Sequence, residues 1–330
     1  MKNIPSVDLG DFLSEDPKRK QKFIKEIGEA YEEIGFIALK GHFLSDSITE
    51  NLYKDVKAFF DLPTEIKESY EIDGIGGQRG YTSFGKESAK GKKEGDLKEF
   101  WHFGQEVVGN DKLKAEYPKN VFVKEITSFN TSGIEAYKML EKTAIYVLRA
   151  LAIYIGLDEK YFDKYVINGN SILRPIHYPP IIGEPKGAVR AAAHGDINLI
   201  TLLMGASASG LEVQNKKGEW IPVTALPEQL VVNVGDMLER LTNNKLRSTI
   251  HKVVNPPRED WDKPRYSIPF FTHPISEMKL NCLPECITET HPKVYEDITA
   301  GEFLNERLKE LGLLKWFQKK YFPFLHLVFF

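Results

Sequence analysis

The stretch that decides the fold runs from Ser171 to Phe271. It contains SILRPIHYPP (171–180), GAVRAAAHGD (187–196), LITLLM (199–204), GLEVQ (210–214), EWIPV (219–223), LVVNVGD (230–236), STIHKVV (248–254) and RYSIPFF (265–271). These are short, β-branched or alternating segments with a period of two, which is the mark of strands. Turn signals such as NKKG (215–218), NVGD (233–236) and TNN (242–244) lie between them. Many short strands at close spacing predict an antiparallel sandwich or barrel. GLEVQNKKGEWIPV (210–223) reads as a hairpin inside it.

Upstream the period changes to helical. Phe23, Ile27, Ala30, Tyr31 and Ile34 form one apolar stripe, predicting a helix from about Asp16 to Ile34 that Gly35 ends. IPSVDL (4–9) and GFIALK (35–40) read as strands. Ser45 or Asp46 can cap a second helix, with Ile48, Leu52, Val56, Phe59 and Phe60 on its buried face and Pro63 as its stop. The repeat from Ile134 to Ile155 predicts a long helix over Ser132–Ile155 that braces the barrel from outside. DEKYFDKYV (158–166) and PKVYEDITAGEFLNERLKELG (292–312) read as further helical segments. The fold class is α+β: a jelly roll with flanking helices. Three regions are expected: a helical and mixed region over 1–165, the jelly roll over 166–290, and a C-terminal helix with an apolar tail over 291–330. The tail, WFQKKYFPFLHLVFF (316–330), would be an aggregation hazard if exposed, so it is expected to pack down.

Composition narrows the class. The 330 residues carry a net charge of -3 and average hydrophobic content, which suits a soluble globular protein. There is no basic stripe to expect nucleic acid, and no apolar run long enough to span a membrane. The N-terminus shows no signal peptide pattern. Only Cys282 and Cys286 occur, so a disulfide framework is not expected and a reducing cytoplasm fits. Oligomeric state is not legible.

The chemistry gathers in the strand block. His194 and Asp196 stand two apart at the end of a strand pattern, so both side chains point the same way. His251 stands in a second strand pattern. Two imidazoles and one carboxylate leave the other positions of a metal open, the donor set that non-haem Fe(II) uses. Arg265 and Ser267 share a face of a third strand, where a guanidinium fork and a hydroxyl can meet one carboxylate. The loop over 74–95 is rich in glycine and lysine and reads as irregular surface, a common place for substrate contacts. Arg79 and Tyr81 in that loop, Trp101 after it, and Phe271 are the candidate substrate contacts. Leu199 and Leu202 are candidate apolar wall or plain barrel core. Lys98, Arg174 and Arg190 offer positive charge without a placed role.

HYPP (177–180), HGDINLITLL (194–203), GLEVQNKKGEWIPV (210–223), LVVNVGDMLERLTNNKLRSTIHKVVNP (230–256) and RYSIPFF (265–271) together resemble the isopenicillin N synthase-like branch of the Fe(II)/2-oxoglutarate-dependent oxygenases. IPSVDL, IGFIALKGH (34–42) and GQRGYTSFGKE (77–87) resemble that family's N-terminal region. The resemblance implies a double-stranded β-helix and assigns His194, Asp196 and His251 to iron. It assigns Arg265 and Ser267, with Tyr178, to the distal carboxylate of 2-oxoglutarate. Many plant members carry Asn where this chain has Ile176. The implied reaction consumes O2 and 2-oxoglutarate, releases succinate and CO2, and hydroxylates or otherwise oxidises a small organic substrate. Two alternatives stay open: a 2-oxoglutarate-independent iron oxidase, in which Arg265 and Ser267 hold the substrate itself, and a binding protein that has lost turnover.

Overall fold

The computed structural model describes residues 4–87, 96–185, 187–205, 210–223, 226 and 228–310. The apolar tail and Leu311 lie outside the described residues, as does the 88–95 part of the glycine- and lysine-rich loop. In chain order the strands are β1 (Ser6–Asp8), β2 (Phe36–Lys40), β3 (Gly80–Thr82), β4 (Glu99–Gly104), β5 (Ile172–Leu173), β6 (Ile176–Tyr178), β7 (Ala191–His194), β8 (Ile200–Met204), β9 (Leu211–Gln214), β10 (Trp220–Pro222), β11 (Leu230–Val234), β12 (His251–Val253) and β13 (Arg265–Thr272). The larger sheet runs β1-β2-β11-β8-β13-β5-β4-β3, with β6 paired to β13 and β4. The smaller sheet runs β10-β9-β12-β7. Phe36, Ala38 and Val231 of the larger sheet pack on Val213 and Ile221 of the smaller one, so the two sheets face each other as in a jelly roll.

Helix ends follow local chemistry. Asp16 caps the Pro17–Glu33 helix by accepting from the Lys18 amide, and Pro17 takes a first-turn position that needs no donor. Ser45 caps Asp46–Phe60 by accepting from the Ile48 amide. The long helix spans Thr127–Ile155, beginning five residues before the apolar repeat predicts. Its extra turn is anchored by Phe129, stacked on Phe59 at 4.9 Å. Gly156, at φ 94°, ends it in the left-handed conformation that glycine adopts without strain. The helix lies across the larger sheet, with Tyr137 set edge-on to Phe270 of β13 at 5.0 Å.

Three segments are shorter than their patterns suggest. DEKYFDKYV is helical only over Asp163–Val166. STIHKVV pairs only over His251–Val253. The last helix among the described residues begins at Ala300, not near Pro292. Its start is set by a capping box: Glu302 accepts from the Thr299 amide at 2.9 Å, and Thr299 accepts from the Glu302 amide at 3.3 Å. Among the described residues no helix is long and apolar enough to cross a membrane.

The long helix approaches β4 closely enough that a Cβ at Gly133 would sit 2.4 Å from the Phe103 ring. Gly133→Val should therefore destabilise the fold by about 1–3 kcal/mol through overpacking, measured by equilibrium denaturation. Unchanged stability would contradict the close approach.

Candidate functional site

Strand pairing brings the two histidines together. β12 runs antiparallel to β7, and His251 stands directly opposite His194. Their ring centres are 4.5 Å apart. Asp196 follows one residue after Gly195, just past the end of β7. Its Oδ1 lies 4.0 Å from His194 Nε2 and 3.7 Å from His251 Nε2, too far for direct hydrogen bonds. One nitrogen or oxygen from each residue falls within 4.8 Å of the others.

Each donor is aimed. His194 Nδ1 lies 2.7 Å from the Ala192 carbonyl, and His251 Nδ1 lies 3.1 Å from the Thr249 carbonyl. A carbonyl only accepts, so both Nδ1 atoms carry a proton, and both Nε2 atoms are the ones turned to Asp196. Asp196 Oδ2 accepts from Thr201 Oγ1 at 2.6 Å and from Asn233 Nδ2 at 2.7 Å. Thr201 on β8 and Asn233 on β11 are themselves paired across the larger sheet. With Oδ2 held this way, Oδ1 is the oxygen turned to the imidazoles. Gly195 leaves little room between them: a Cβ there would sit 3.0 Å from Asp236 Oδ1 and 3.1 Å from Ser248 Oγ, so those side chains would have to shift.

The charge states suit a cation. Burial, then the adjacent His251, pushes the His194 imidazole down to about 4, so its lone pair is free at neutral pH. Burial alone would raise the Asp196 carboxyl. The two histidines and the bonds from Asn233 and Thr201 outweigh it and hold the group below the usual carboxylate range. Two imidazoles and one ionised carboxylate, converging and pre-oriented, fit a divalent iron ion.

Two cavities share His194 and Asp196 in their walls, and His251 lines one of them. The inner one is lined by Arg265, Ser267, Tyr178 and Phe271 beside the triad. Arg265 on β13 pairs with Tyr178 on β6, and its guanidinium sits 5.0 Å from the Tyr178 ring centre. Arg265 is 1% exposed, so an anion there would meet it away from water. The outer cavity, about 300 Å³, is lined by Gln78, Phe100, His102, Asn170, Arg174, Phe271 and His273, with Leu304, Arg307 and Leu308 of the last helix.

Sequence reading and structure differ by one residue in two places here, at Trp101 and Arg79. Trp101 faces away from the cavity and packs among Phe59, Tyr70, Phe103 and Phe129. Its neighbours Phe100 and His102 line the cavity, because side chains alternate along β4. Tyr81 is buried with its hydroxyl donating to Glu99. Arg79 is buried against Gly104 and donates to the Gln78 carbonyl and, at 3.5 Å, to Asn170 Oδ1, while Gln78 reaches the cavity. Leu199 and Leu202 are barrel core. Arg190 donates to the Lys263 carbonyl. Thr201 and Asn233 were not singled out in the sequence; their signal was a polar residue inside the otherwise apolar LITLLM and LVVNV.

Comparison with known proteins agrees with this geometry. Residues 4–125 match the family model described as non-haem dioxygenase in morphine synthesis N-terminal, and residues 169–274 match that of the 2OG-Fe(II) oxygenase superfamily. The chain is 31% identical to proline hydroxylase buaE of Petromyces alliaceus, over 92% of this chain and 98% of that protein. A 2OG-Fe(II) oxygenase family protein from Caulobacter crescentus superposes with a TM-score of 0.84 at 43% identity, covering 94% of this chain and 99% of that one. A full-length protein of Neurospora crassa, in complex with alpha-KG and thymine, superposes with a TM-score of 0.82 at 31% identity, covering 93% of this chain and 96% of that one. The chain belongs to the 2OG-Fe(II) oxygenase superfamily and is a non-haem iron dioxygenase that uses 2-oxoglutarate.

Proposed function

We propose that His194, Asp196 and His251 hold the ferrous ion, that Arg265, Ser267 and Tyr178 hold the far carboxylate of 2-oxoglutarate, and that the outer cavity takes the substrate. One observation carries this reading: Asp196 Oδ1 and two imidazole Nε2 atoms converge on the wall of the inner cavity, and His194 and Asp196 also line the outer one. When bound, Fe(II) with 2-oxoglutarate supplies the oxidising chemistry, in which O2 is consumed, succinate and CO2 are released, and a substrate C–H bond is oxidised.

The chain's own residues bind and aim. The Ala192 and Thr249 carbonyls fix both imidazoles in one tautomer, and Thr201 with Asn233 keeps Asp196 from turning. Arg265, buried beneath Tyr178, offers a planar fork of donors that matches a carboxylate. Phe271 lines both cavities and keeps an apolar surface beside the reacting centre. The outer cavity suits a small organic molecule. Two relatives act on or bind compounds of that size, one being a proline hydroxylase and the other holding thymine. The 2-oxoglutarate-independent oxidase is set aside, because the matched family and the Neurospora crassa complex both name the keto acid. A reducing compartment such as the cytoplasm suits a ferrous ion and the two buried thiols, Cys282 and Cys286.

His251→Ala should abolish iron-dependent succinate formation, and full turnover by that variant would remove the assignment. Arg265→Ala should raise the 2-oxoglutarate KM by roughly 10–100-fold, the worth of a charge-assisted bond lost on one side. An unchanged KM would place the keto acid elsewhere. Asn233→Leu should weaken Fe(II) binding by roughly 10–100-fold through loss of support to Asp196, read by metal titration under anaerobic conditions. Equal affinity would show that Thr201 alone suffices.

A further inference from the structure

Arg174 is a polar group of the outer cavity with unused donors, and it stands beside the triad. It follows β5 and lines both cavities. Phe100 and Phe271 lie against its guanidinium, at 4.4 and 5.0 Å from the ring centres. Its Nε donates to His102 Nε2 at 2.5 Å, and one terminal nitrogen donates to Glu87 at 3.3 Å. A guanidinium has five N–H groups, so three find no acceptor among the described residues.

His102 cannot supply charge. Its Nδ1 lies 2.6 Å from the Gly77 carbonyl, which only accepts, and its Nε2 faces Arg174, which only donates. Both contacts are met only by the neutral ring. His102 therefore locks the direction of Arg174 without adding to its charge.

The positive charge of Arg174 is already offset. Glu87 faces it, and Lys98 stands 2.8 Å from Asp96 and 3.8 Å from Glu87. Burial would raise the Glu87 carboxyl, but Lys98 and Arg174 hold it down at about 2, so it is ionised. Across the described wall, Arg307 is paired with Glu310 at 2.6 Å, and Asp236 adds a further carboxylate. The described lining, with the triad left aside, carries three cations (Lys98, Arg174, Arg307) and four carboxylates (Glu87, Asp96, Asp236, Glu310). A substrate carboxylate would meet repulsion from this wall in a poorly screened site. A neutral carbonyl would take the open N–H edge of Arg174 and need no counter-charge.

We propose that the substrate is a neutral small molecule with a carbonyl of the amide, lactam or imide kind, which accepts from Arg174, and that Glu87 excludes the corresponding acids. This rests on the reading that the outer cavity is the substrate site. Arg174 would be the specificity-determining contact, and His102 its positioning residue.

The test is anaerobic calorimetry on the full chain loaded with Fe(II) and saturating 2-oxoglutarate, using matched pairs of probes: uracil with orotate, and benzamide with benzoate. The neutral member of at least one pair should bind tenfold or more tighter than its acid. Arg174→Gln should erase that preference by weakening the neutral member, and Glu87→Gln should tighten the acid tenfold or more. Tighter binding of the acids, no binding by either neutral probe, or a preference that survives Arg174→Gln would overturn the proposal. Failure to load Fe(II) or 2-oxoglutarate at the outset would instead overturn the site reading beneath it.

Discussion

The antiparallel pairing of β7 with β12 is the constraint on which the site depends. It sets His251 opposite His194. A one-residue slip would turn every side chain of the moved strand to the other face, and one imidazole would leave the centre. The register is held from outside the pair. Phe36, from the opposite sheet, packs edge-on against His251 at 5.6 Å, and β9 pairs with β12 on its other side. The convergence of the three donors is thus a product of the whole sandwich rather than of one loop.

The third donor is governed by the other sheet. Asp196 lies beyond the regular strand, where backbone geometry alone would leave its carboxylate free to turn. Thr201 and Asn233, neighbours across β8 and β11, hold one of its oxygens. The Asp236 amide also donates to the Asp196 carbonyl at 2.7 Å, tying the turn to the start of the next helix. Each sheet therefore contributes one half of the centre: the smaller supplies the imidazoles, and the larger orients the carboxylate.

Local pattern carried a large part of this into the sequence. The strand block announced itself by its period of two, and the Pro17–Glu33 and Asp46–Phe60 helices by apolar stripes and caps. The spacing of His194 and Asp196 was legible because it is local. Partnership between segments was not. That the far imidazole nitrogens rest on carbonyls two residues upstream, or that Asn233 reaches Asp196 across 37 positions, requires the fold. The cavity lining falls one position away from Trp101 and Arg79, at Phe100, His102 and Gln78, because an irregular approach to a strand does not reveal which face turns inward. The same limit hid the pairing of Arg174 with His102, two residues 72 positions apart.

The central claim is that the triad and Arg265 serve one ion and one keto acid. Anaerobic titration of the apo protein with Fe(II) and then 2-oxoglutarate, followed by visible absorption, tests it most directly. A weak charge-transfer band that forms only with both, and is lost in His251→Ala, is the predicted result. Fe(II) binding without that band, or a band of full strength in His251→Ala, would contradict it.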